Sequence, residues 1–133
     1  MIKTITEIAK YVYKTLGPGH EEAIYRDAMS IELQEKGYTV KTEAPVSIRY
    51  KTKKGKDMIV GSGKIDLYIM KGKRCGIVEL KAAGRLIPEN GKKTKEDKKE
   101  YHQLKKYLDA LDVDCGILIN FPFPPEKEPE IIE

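Results

Sequence analysis

Little in this 133-residue sequence suits a secreted, membrane-spanning or zinc-stabilised protein. It has only two cysteines, Cys75 and Cys115. They are too few and too far apart to make a zinc site of their own. Each lies in a short apolar segment that reads as a strand, so two buried thiols are expected rather than a disulfide. No apolar run approaches the ~20 residues that span a bilayer, and Met1-Ile2-Lys3-Thr4-Ile5-Thr6 lacks the apolar core of a signal peptide. The expected compartment is therefore the cytoplasm, or the nucleus of a host that has one. The two histidines, His20 and His102, belong to no recognisable ligand spacing. A phosphate-binding glycine loop is missing too, because Gly61-Ser62-Gly63 lacks the rest of that motif and reads as a β-bulge.

What is present is a globular composition, 40% hydrophobic and 35% charged, with enough chain for one core. We read residues 1–125 as a single domain and residues 126–133 as an acidic C-terminal tail. The net charge of +4 is unevenly spread. Lysines crowd residues 51–56, 71–74 and 92–106, where they form either a solvated surface or an attractor of phosphate backbones.

Apolar residues at helical spacing, Ile5, Ile8, Ala9, Val12 and Leu16, predict a helix over 4–16 that Gly17-Pro18-Gly19 stops. A second helix is predicted over 21–36, with Glu21 and Glu22 in its first turn at the positive end of the dipole. The period then changes to that of strands over 38–50, 59–70 and 75–82, the last two joined by a tight turn at Lys71-Gly72-Lys73. A polar loop, a third helix over 96–111 and an apolar strand over 115–121 complete the order α-α-β-β-β-α-β. The expected fold is an α/β mixed sheet of about four strands flanked by helices. Phe121-Pro122-Phe123-Pro124-Pro125 cannot continue a sheet interior.

Strand alternation in Gly76-Ile77-Val78-Glu79-Leu80-Lys81-Ala82 puts Glu79 and Lys81 on one face. The tight turn makes this strand the neighbour of the one carrying Asp66, so Asp66 and Glu79 fall across the pair with Lys81 further along. Two close, partly buried carboxylates repel and are costly without compensation. A hard divalent cation, Mg²⁺ or Mn²⁺, resolves that repulsion with oxygen ligands. Lys81 would then orient a water or stabilise charge building on a phosphate. A surface ion pair between Glu79 and Lys81 is the plain alternative.

These residues stand within a longer set of motifs. Leu16-Gly17-Pro18 precedes Gly19-His20-Glu21-Glu22-Ala23-Ile24-Tyr25; Asp66 and Glu79-Leu80-Lys81-Ala82 follow. Gln103, Tyr107 and Leu108 stand on the third helix, and Gly116-Ile117-Leu118-Ile119-Asn120-Phe121 closes the series. In this order the sequence resembles the GxxExxY family of the PD-(D/E)XK nuclease superfamily, and its active-site order resembles that of archaeal Holliday-junction resolvases. The resemblance implies a restriction-endonuclease-like core and a Mg²⁺- or Mn²⁺-dependent nuclease acting on DNA. Asp66, Glu79 and Glu22 would hold the metal, and Lys81 and Gln103 would assist. Glu22 otherwise serves only the helix dipole, and Gln103 otherwise decorates its helix. Lys92, Lys93 and Lys95, in a loop longer than the family pattern, are the candidate DNA contacts. The resolvase analogy suggests a homodimer. A catalytically silent nucleic-acid-binding module and a protein-interaction domain are the competing functions, since the fold alone decides none of this.

Overall fold

A computed structural model describes residues 1–84 and 95–132, the side chains of residues 95–101 excepted. The helices are α1 (Ile2–Leu16), α2 (Glu22–Glu35) and α3 (Lys95–Ala110). The strands are β1 (Thr39–Lys51), β2 (Asp57–Lys71), β3 (Arg74–Lys81), β4 (Cys115–Asn120) and β5 (Glu130–Ile132). They form one mixed sheet in the order β1-β2-β3-β4-β5. Among the described strands only β3 and β4 are parallel, as fits a strand-helix-strand crossover through α3.

The sheet has five strands where about four were expected. The fifth comes from the acidic tail, which returns past the prolines to pair Leu118 with Ile132 and Asn120 with Glu130. Ile131 and Ile132, pointing to opposite faces, join the two core layers. Helix and strand limits otherwise fall within two residues of expectation. No helix among the described residues is long and apolar enough to cross a membrane.

Alternation along the central strands builds both layers. Val78, Leu80, Ile117 and Ile119 face α1 and α2 together with Phe121, which stacks on Tyr25 at 4.3 Å. Ile77 and Leu118 face α3 with Leu104 and Tyr107. Cys75 and Cys115 are free thiols, each partly buried.

The first two strands change layers partway. Leu67 and Ile69 of β2 lie in the α1/α2 layer, yet Ile65, two residues back, lies in the α3 layer; on β1 the same change separates Val40 from Ala44 and Val46. Same-parity residues of a regular strand share one face, so both strands must twist sharply between these points. The twist sits where Glu43 has a φ of 50° and the described pairing passes from Thr42↔Leu67 to Ala44↔Ile65. A second irregularity, the one-residue register shift at Ile48/Arg49, leaves Val60 as the extra residue. The expected bulge is thus present, just before Gly61. Gly63 serves packing instead: a Cβ there would run into the Tyr107 ring.

Candidate functional site

Asp66 stands at that twist, and there the pairing of β2 with β3 stops. The ladder runs from Lys71↔Arg74 to Leu67↔Val78; the next pair would be Asp66 with Glu79. In its place the two carboxylates cap each other's strand. Glu79 Oε1 accepts the Asp66 backbone N–H at 3.0 Å, and Asp66 Oδ2 accepts the Leu80 N–H at 2.7 Å. Charge-assisted bonds of this kind are short and hold the side chains in fixed rotamers. Glu79 is 9% exposed and Asp66 is half-buried.

Helix α2 brings further groups to Asp66. The Glu22 carboxyl lies within hydrogen-bonding reach of the Asp66 carboxyl, and Lys81 and Arg26 act on it through their charges. Burial raises the pKa of Asp66, and it outweighs the Leu80 N–H, the Glu22 hydrogen bond and the two cations, all of which pull it down. Arg26 also bonds Asp27 and Glu43, each at 3.1 Å. Sequence reasoning missed Arg26, although its position four residues after Glu22 puts the two on one helical face.

The loop before α2 explains how Glu22 is aimed. The Tyr25 hydroxyl donates to the Gly17 carbonyl at 2.6 Å and accepts the His20 N–H at 3.3 Å, and His20 Nε2 meets the Leu16 carbonyl at 2.9 Å. Gly19, with φ of 96°, takes a left-handed conformation in the turn. Gly19, Glu22 and Tyr25 therefore divide the work: glycine turns the chain, tyrosine ties it down, and the glutamate one helical turn before the tyrosine reaches Asp66. His20 is part of that structural knot.

On the far side of β3, Asn120 is fully buried opposite Lys81. Its Oδ1 accepts the Ala83 N–H at 3.1 Å, and its Nδ2 donates to the Gly84 carbonyl at 3.1 Å and to Glu130 Oε1 at 2.7 Å. The Phe121 N–H donates to the Lys81 carbonyl at 2.8 Å. Asn120 thus fastens the chain leaving Lys81, a role that sequence reasoning did not give it.

The structure brings together Asp66, Glu79, Glu22 and Lys81. Gln103 stands on α3, where its Nε2 donates to the Tyr107 hydroxyl at 2.9 Å. Lys92 and Lys93 lie outside the described residues, and of Lys95 only the backbone is described, as the first residue of α3. The cavity between α1 and α2, lined by Thr4, Glu7, Ile8, Tyr11, Glu32 and Lys36, is not part of this site.

Among the described residues no three His, Cys, Asp or Glu side chains converge as a ready-made metal shell. The donor set nevertheless fits a hard cation. Each carboxylate offers about four lone-pair positions, which one backbone N–H does not exhaust. Magnesium commonly takes one or two carboxylates and completes its shell with water and substrate oxygens. Moreover, carboxyls as close as those of Asp66 and Glu22 cannot both ionise cheaply without added positive charge. The sequence model of the PD-(D/E)XK nuclease superfamily matches residues 1–132, whereas no curated protein matches the chain.

Proposed function

Since the chain belongs to the PD-(D/E)XK nuclease superfamily, we propose that it is a divalent-metal-dependent deoxyribonuclease, structure-selective or weakly specific, acting in DNA repair, recombination or processing. The observation that carries this reading is the reciprocal capping of Asp66 and Glu79, which places two acids side by side at the open end of a ladder with Lys81 beside them. Asp66 and Glu79, with Glu22 adjoining, would hold Mg²⁺ or Mn²⁺. When bound, the ion would polarise a phosphoryl oxygen and lower the pKa of a water.

The protein's own groups do the rest. Their backbone hydrogen bonds fix Asp66 and Glu79 so that little reorganisation is needed when substrate arrives. Lys81 supplies a positive charge where negative charge gathers on the phosphate. Asn120 holds the segment after Lys81 and so the backbone from which that side chain projects. Arg26 limits the repulsion between Asp66, Glu43 and Glu22. Gln103, bonded to Tyr107 on α3, is the candidate to assist Lys81 or to meet a phosphate.

The test is a cleavage assay on linear, nicked, flapped and four-way DNA, with and without Mg²⁺ or Mn²⁺. Metal-dependent product from at least one of these substrates is expected. A chain that binds DNA but cleaves none of them in either metal would instead be a binding module on this fold.

A further inference from the structure

Beyond Glu43 and Asp66 the first two strands leave the body of the sheet. β3 pairs with β2 only over Leu67–Lys71, so from Ile65 outward β2 is paired with β1 alone among the described strands. The base of this ribbon rests on α3 through Val46, Ile65 and Tyr107. Its outer half, Arg49 to Lys64, is exposed along nearly its whole length, with Ile59 60% and Val60 63% accessible. The tip is a built turn: Thr52 N–H to the Lys56 carbonyl at 2.8 Å, Gly55 N–H to the Thr52 carbonyl at 2.9 Å, and Lys56 N–H to Thr52 Oγ1 at 3.0 Å.

Charge singles this ribbon out. Between residues 49 and 64 stand Arg49, Lys51, Lys53, Lys54, Lys56 and Lys64 against Asp57 alone, a net +5, in a chain whose total is +4. The rest of the molecule is therefore slightly acidic. We propose that the β1–β2 ribbon is an arm that holds the phosphodiester backbone of duplex DNA and guides it to the carboxylates at its base. This rests on the nuclease reading and names the element that grips the substrate.

Three observations favour that occupant. The arm's excess charge matches a polyanion, while a second copy would bring an arm of the same sign and be repelled. Lys64 precedes Asp66 by two residues, so DNA lying on the ribbon passes the acids. The nine residue steps from Asp57 to Asp66 extend roughly 30 Å at ~3.3 Å per step, close to the ~34 Å of one duplex turn. Lysines and a bulge also discourage strand addition at an exposed edge, but that purpose does not call for three lysines around the closed tip.

The test compares the full chain with the triple variant Lys53→Ala, Lys54→Ala, Lys56→Ala for binding to a labelled duplex of ~30 base pairs (about three turns), without divalent metal, over a salt series. Each lost phosphate contact should flatten the slope of log affinity against log salt by ~0.9. We expect a slope shallower by up to about 3 and an affinity lower by about tenfold or more. The corresponding triple change to arginine should keep both, and both variants should melt like the unaltered chain. If the alanine variant keeps its affinity and slope while the unaltered chain cleaves DNA, the arm proposal fails and the nuclease reading stands. If the variant loses binding but the unaltered chain cleaves nothing in either metal, the arm stands as a DNA-binding element and the nuclease reading fails. A dimer in sedimentation that Ile59→Lys dissociates, with DNA affinity unmoved by the alanine changes, would make the ribbon a self-association surface and overturn the proposal.

Discussion

The two ends of the β2–β3 pairing use the same strands to opposite effect. From Leu67 to Lys71 the ladder is complete, its turn closes at Gly72 with φ of 63°, and Leu67, Ile69 and Val78 are wholly buried. One residue beyond Leu67, acids take over the backbone's hydrogen bonds and bring charge into a partly desolvated place. The closed end turns apolar burial into stability, about 1.5–3 kcal/mol for each such side chain. The open end keeps its backbone satisfied but leaves two or three acids facing one another. Sheet geometry thus positions the site, and the cost of the site falls within a few residues of what offsets it.

The largest effects should come from separating the acids' roles from that of the lysine. Asp66→Asn preserves shape and removes a charge the cation needs. Divalent-metal affinity and cleavage should both collapse, cleavage by at least the ~10²–10³ typical of one lost electrostatic contact. Lys81→Ala should lower cleavage by ~10²–10³ while metal binding persists or tightens, because a repelling cation has gone. Calorimetric metal titration beside the cleavage assay checks both. Full cleavage by Lys81→Ala would remove that residue from the proposed chemistry.

Asn120→Ala tests whether the open end depends on its support. A fully buried amide that serves Ala83, Gly84 and Glu130 leaves partners unsatisfied when removed, at about 1–3 kcal/mol. Denaturant unfolding should show that loss, and cleavage should fall more than stability alone accounts for, since the chain leaving Lys81 loses its anchor. Intact cleavage in a destabilised Asn120→Ala would restrict the residue to structure.

Much of the open end was legible because its signals are local. Period-two alternation put Glu79 and Lys81 on one face, and a three-residue turn made Asp66 their neighbour. The twist was not legible: nothing in the sequence marks Glu43 for a left-handed φ, and it is what carries β1 and β2 from one layer to the other. The return of the tail as β5 was hidden by the prolines that precede it, which end β4 without ending the sheet. A helical pattern gives Gln103 a face but not a partner, and the structure supplies one in Tyr107, one turn on. Arg26 does carry a usable signal, its i,i+4 spacing from Glu22.

A smaller effect should follow from Tyr25→Phe. The ring stacked on Phe121 remains, so only the hydroxyl's bonds to Gly17 and His20 are lost, about 0.5–1.5 kcal/mol. If the loop aims Glu22, metal affinity should weaken although the substitution lies outside the acid cluster. Unchanged affinity with lowered melting temperature would mean that Tyr25 stabilises the loop without orienting the glutamate.

The smallest effect has the most informative sign. Burial raises the pKa of Asp66 above its ordinary value despite the Leu80 N–H, Glu22, Lys81 and Arg26. A carboxyl whose folded pKa is raised binds its proton more tightly in the native state. Its contribution to stability is therefore fully present below the unfolded pKa, ~3.9 for aspartate, and is lost as pH rises through the folded value. Above that value the ionised Asp66 is a burden on the metal-free fold. Asp66→Asn keeps an oxygen for the Leu80 N–H and removes the charge, so it should raise the melting temperature by a few degrees at pH 7 in chelator. The gain should shrink as pH falls, because the native aspartate takes up its proton at a higher pH than the unfolded one does. Added Mg²⁺ should stabilise the unaltered chain and not the variant, by the linkage of ligand binding to folding. A lower melting temperature for Asp66→Asn at pH 7 would show that Lys81 and Arg26 already balance the buried charge, and that the open end carries no such burden.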